Sequence, residues 1–176
     1  LVDASRFLLY HRTILRKGNS FMNTGITKRG YVSRTAGQEK MHVSMMTLDE
    51  INMIHEYLLA SAKNTKPSLT YHLAQKIVSG EIKFTETQLV ETLANAMNLV
   101  EFNSQVDSIR GLYRSAKAYD VLLDGELQLA NLCIVVNLDT LEVITAYYNK
   151  ASDSHDTINP DRYTTLDIKE VLYGKG

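Results

Sequence analysis

The sequence predicts an α+β fold, with N-terminal helices followed by an antiparallel sheet of four to five strands. Three observations predict it. Past the first 44 residues, helical periodicity is confined to residues 47–97 and is opened twice by a capping-box pattern. Segments rich in β-branched and aromatic residues then follow one another from Leu99 to Asn149. No helical pattern interrupts them, so the strands are expected to form a meander rather than crossover units.

The elements follow in order. "SRFLLYHRTILRK", residues 5–17, puts Phe7, Leu8, Tyr10 or His11, Ile14 and Leu15 near helical spacing, with basic residues around them. It is a short amphipathic helix or an extended arm. Gly18, Gly25, Gly30 and Gly37 then recur among Thr, Ser and Asn, which argues for loop or a loose hairpin. Residues 1–44 are therefore set apart as a basic N-terminal arm, and 45–176 as the α+β domain.

In that domain the Thr47 and Glu50 pair opens a helix whose apolar face is Leu48, Ile51, Ile54, Leu58 and Leu59, and Pro67 ends the unit. "SLTYHLAQKIVSG" is a second helix closed by Gly80. "TETQLVETLANAM" is a third, opened by Thr85 and Gln88. The strands are expected at 99–103, 108–115, 119–123, 129–138 and 142–149, with "NLDTLEV" as a tight turn between the last two.

Hydrophobic residues make up 44% and charged residues 22% of the 176 residues, the balance of an ordinary globular protein. No apolar run approaches the ~18 residues of a membrane span, and no signal peptide is visible, so a cytoplasmic protein with no membrane partner is expected. The chain begins at Leu1, and a piece upstream of it is expected. Cys133, the single cysteine, lies in "ANLCIVVNL" and is expected in the core. One cysteine forms no disulfide within the chain, in keeping with a reducing compartment.

The net charge of −1 hides an asymmetry. Residues 1–44 hold eight Lys or Arg against two acids, a local charge of +6, and residues 45–176 hold eleven against eighteen, or −7. Such an arm fits a polyanion, the acidic body of its own or a neighbouring copy, or plain solvation. RNA or another nucleic acid, a host protein, and a second copy in an arm-mediated homodimer are thus the candidate partners.

A helix with His72 near its start, a short helix after it, then "LVEFN", "SIRGLYRS", "LCIVVNL" and "EVITAYYN" resemble the barnase–EndoU–colicin–RelE (BECR) superfamily over residues 68–163. The resemblance implies a small ribonuclease-like domain of phage or toxin type, cytoplasmic in a bacterial host. Many members are metal-independent endoribonucleases, hydrolases that need no cofactor, and some relatives are noncatalytic. His72 matches the helix histidine of such domains.

Metal-independent RNA cleavage needs a base for the 2′-hydroxyl, an acid for the leaving oxygen, and cations or donors for the phosphorane. His155, in the polar stretch after the last strand, is the first candidate for proton transfer and His72 the second. Arg110 and Arg114 are four residues apart on a strand, so they project from one face and are expected to clamp phosphate. Lys117 would extend the clamp. Thr145, Tyr147 and Asn149 share a face of the last strand. Thr145 would position the scissile group, and Tyr147 and Asn149 would contact substrate. Asp153, His155 and Asp156 lie too close together in sequence to supply a full metal coordination set, so no metal is expected. The alternative is a noncatalytic binding module that contacts a host protein or nucleic acid, or an assembly subunit that docks through its arm.

Overall fold

The computed structural model describes residues 39–65, 67–153 and 160–174. The expectations placed on His155 and on the arm up to residue 38 lie outside them.

Both capping boxes form. The Thr47 hydroxyl accepts from the Glu50 N–H at 3.2 Å and the Glu50 carboxylate accepts from the Thr47 N–H at 2.8 Å, which opens α1 (Leu48–Asn64). Thr70 caps α2 (Tyr71–Val78), and Gly80 beyond its end takes φ +77°. Thr85 and Gln88 repeat the reciprocal pair at the start of α3 (Glu86–Ala94). A fourth helix, α4 (Ile168–Tyr173), is capped by Asp167.

The strands are β1 (Glu39–His42), β2 (Ser68–Leu69), β3 (Leu99–Gln105), β4 (Ser108–Leu123), β5 (Glu126–Asn137) and β6 (Glu142–Lys150). They form one sheet in the order β1-β3-β4-β5-β6-β2. The antiparallel meander β3 to β6 is as expected, but the sheet is larger and mixed. β2 pairs parallel with β6, and β1 pairs antiparallel with β3. Residues 39–42 therefore belong to the sheet rather than to the arm. Burial holds them there, because Met41 stands opposite Phe102 and both are out of solvent.

The segments expected as two strands at 108–115 and 119–123 are one strand. A bulge lies between Arg114 and Ala118 in its pairing with β5. The Ser115 hydroxyl fixes this kink, donating to the Lys117 carbonyl at 2.7 Å and accepting from the Leu132 N–H at 2.9 Å.

One face of the sheet carries the helices. Ile51, Ile54 and Leu58 of α1, Leu73 of α2, Leu89 and Leu93 of α3, and Ile168 and Leu172 of α4 pack on Phe102, Tyr113, Leu132, Ile134, Val136 and Ala146. A side chain at Gly111 would meet the Tyr113 ring at 2.8 Å, so glycine there lets that ring lie flat in the core. Among the described residues no helix is long and apolar enough to cross a membrane.

A buried polar link joins the helices to the sheet. His55 Nε2 donates to the Ala94 carbonyl at 3.2 Å, which leaves Nδ1 to accept from the Tyr113 hydroxyl at 3.4 Å. Burial lowers the His55 pKa below its ordinary 6.5. The unfolded chain thus binds a proton here before the folded chain does, and stability present above pH 6.5 drains as pH falls below it. The thermal midpoint should fall as pH drops from about 6.5 toward 5, and the fall should be shallower in His55→Gln.

Candidate functional site on the helix-free sheet face

The opposite face of the sheet carries no α-helix among the described residues, and strand register decides what stands on it. Arg110, Leu112 and Arg114 of β4 pair with Asn137, Val135 and Cys133 of β5. Val135 and Cys133 pair in turn with Thr145 and Tyr147 of β6, and Asn131 with Asn149. On the other side, Leu112 and Arg110 pair with Glu101 and Asn103 of β3, which face His42 and Lys40 of β1. Directly opposed residues share a face. Arg110, Arg114, Thr145, Tyr147 and Asn149, chosen from two separate strands, therefore converge on one surface.

Arg114 is the anchor of its β6 side. One terminal nitrogen, Nη2, donates to Asn149 Oδ1 at 3.3 Å, the Lys150 carbonyl at 3.4 Å and the Asp153 carbonyl at 2.7 Å. Asn149 Nδ2 donates to the Asp153 carboxylate at 3.1 Å. Nε of Arg114 is buried and has no hydrogen-bond acceptor. The arginine thus fixes the turn after β6 with one edge. Arg110 is half-buried and donates from Nε to the Ser108 hydroxyl at 3.0 Å.

Cys133 lies on the floor beneath Arg114 and Tyr147, fully covered, and burial pushes its thiol up to about 11. It is buried as expected, on the helix-free side of the sheet, and with its pKa raised the thiol stays protonated at pH 7. Burial and the nearby Cys133 and Glu101 also raise the Tyr147 phenol, so it stays a proton donor.

Glu101 organises the other side. Lys40 approaches its Oε1 at 3.4 Å, and the Tyr163 hydroxyl donates to Oε2 at 3.0 Å. The Tyr163 ring meets His42 edge-on with centroids 5.4 Å apart. Burial and the Glu101 charge push the Tyr163 phenol up to about 12. The result is a carboxylate, two phenols, an imidazole and three cationic side chains on one sheet face. Glu101, Lys40, His42 and Tyr163 were not among the residues selected from sequence. The parity of Glu101 with Asn103 inside "LVEFN" was the available signal. The partners of Glu101 are about 60 residues away in either direction, beyond any local pattern.

Two selected residues stand elsewhere. His72 is exposed on α2, in the helical layer on the other side of the sheet. Its helix docks through Leu73 and Ala74, and the neighbouring position is carried outward. Lys117 sits in the β4 bulge, where strand alternation is broken. Its ammonium stands 5.6 Å over the Tyr119 ring, which packs against the helical core. It does not extend the arginine pair. His155 lies outside the described residues. The last described residue before it, Asp153, is held at the edge of the helix-free face by Arg114 and Asn149.

No group of three or more His, Cys, Asp or Glu among the described residues is arranged to hold a metal. No family model, no curated protein and no solved structure matches the chain.

Proposed function

We propose that the chain is a metal-independent, BECR-like nuclease domain of phage or toxin type that cleaves RNA on the helix-free face of its sheet, in the cytoplasm. The observation that carries this reading is the convergence of Arg110, Arg114, Thr145, Tyr147 and Asn149 on one face with Glu101 and Lys40. In the proposed reaction Glu101 takes the proton of a 2′-hydroxyl, and that oxygen attacks phosphorus. His155 gives a proton to the departing 5′-oxygen, leaving a cyclic phosphate. The guanidinium groups of Arg110 and Arg114 stabilise charge on the phosphorane. Thr145 positions the scissile group, and Tyr147 and Asn149 contact the nucleotide. His72 takes no part, because the sheet separates its helix from this face. The basic N-terminal residues add salt-dependent affinity for the strand.

A second reading, a noncatalytic module that binds nucleic acid or a host protein, is favoured by one observation. Both Glu101 oxygens and one edge of Arg114 are already engaged within the protein. Incubating the purified protein with total RNA in EDTA separates the two readings. Cleavage with cyclic-phosphate ends supports the nuclease. Salt-dependent binding without cleavage from pH 5 to 9 supports the module and overturns the nuclease.

A further inference from the structure

The β4–β5 hairpin runs past the rest of the sheet. Pairing of β3 with β4 ends at Tyr113, and pairing of β5 with β6 ends at Ala130. Beyond a last backbone bond from the Ala151 N–H to the Leu129 carbonyl at 2.9 Å, residues 119–128 continue as a two-stranded ribbon, closed by Asp124 and Gly125 with φ of 53° and 82°. Two positive φ values at the turn are the geometry that follows the twist of the strands. Leu122 pairs with Leu127, and Leu129 stands next to Leu127 on the same face. The three are 71%, 72% and 57% exposed. Asp120 pairs with Leu129, and Asp124 and Glu126 flank the turn, with no Lys or Arg in residues 119–129. A groove beside the turn is lined by Asp124 and Asp153, with Lys150 also in the lining. The ribbon therefore presents an apolar patch with an acidic rim, on a two-stranded element that is marginal when uncovered.

We infer that this hairpin is the docking surface for residues Ser5–Lys17 of the same chain. That segment brings the complementary chemistry. Phe7, Leu8, Leu9, Ile14 and Leu15 are its apolar side chains, and Arg6, Arg12, Arg16 and Lys17 its charges, with no acid among them. Patch size argues against a second folded copy as occupant. Three leucines offer at most a few hundred Å², where a stable dimer buries about 800 Å² per partner. Reach is no obstacle, since the roughly 20 residues between Lys17 and Glu39 span up to ~70 Å. Tethering presents the segment at an effective concentration of order millimolar, so docking within one molecule prevails over docking between molecules.

Limited trypsin digestion of the full chain tests this, because Arg12 and Arg16 report whether the segment is covered. Cleavage tracks the fraction undocked. In the wild type the bonds after Arg12 and Arg16 should be cut about tenfold more slowly than in a synthetic peptide of residues 5–17, a docking preference of ~1.4 kcal/mol. The Leu122→Ser/Leu127→Ser variant should be cut at the peptide's rate. Asp120→Asn/Asp124→Asn, which leaves the leucines and suits the positive φ at 124, should move the rate in the same direction. Equal rates in wild type and peptide would overturn the inference. So would unaltered protection in both variants, or a wild-type dimer in sedimentation velocity that the leucine variant dissolves. None of these readouts involves RNA, so they stand or fall apart from the proposed nuclease activity.

Discussion

Arg110→Gln is expected to lower RNA cleavage by about 10²- to 10³-fold, the usual cost of removing one donor aimed at developing charge. Arg110 stands on the helix-free face between Asn103 and Asn137, half-buried, with Nε on Ser108. Glutamine keeps a donor on a shorter stem, but loses the charge and the bidentate fork. The stability cost should be small by comparison, about 1 kcal/mol, or ~2–4 °C in the thermal midpoint. A fall in kcat with a nearly unchanged midpoint would locate the effect in the chemistry. A collapse of the midpoint by more than ~10 °C would make Arg110 a structural residue instead.

Phe102→Ala is expected to cost about 3–5 kcal/mol. Phe102 is fully out of solvent in the centre of β3, opposite Met41 on one side and Gly111 on the other. Gly111 has no side chain to move into the space, and its neighbour Tyr113 is held by its own burial and by His55. The cavity therefore stays largely open. Against a typical total of about 5–15 kcal/mol, such a loss removes a large part of the fold's stability. Urea unfolding should show a lowered midpoint with an unchanged slope. The same change should release β1, since Met41 would lose its cross-strand partner. A cost below about 1 kcal/mol would mean that the core repacks around this position.

How far the sequence went follows from which physical signals are local. The capping boxes at Thr47 and Thr85 are closed within three residues, and both form as expected. Strand alternation is local too, and it put Arg110 with Arg114 and Tyr147 with Thr145 on shared faces. Register across the sheet then brought the two pairs together, which no local pattern reveals. β1 was missed because four residues, Glu39–His42, show no usable period, and its stabilising contact with Phe102 is about 60 residues away in sequence. β2 is shorter still, two residues held by the β6 backbone. Lys117 was expected just past the end of a strand at 108–115, but the strand continues through a bulge to Leu123 and carries Lys117 over Tyr119. His72 was misplaced for a different reason. Sequence gives the face of a helix but not the side of the sheet on which that helix packs, and α2 packs on the side away from the arginines.

Cleavage of total RNA in EDTA by three proteins in parallel decides whether the helix-free face is the working surface. Wild type should cleave. Glu101→Gln should lose about 10²-fold or more, as expected for a lost general base, and His72→Ala should retain the wild-type rate. Loss of activity in His72→Ala with full activity in Glu101→Gln would contradict the account, because it would put the chemistry on the helical side of the sheet.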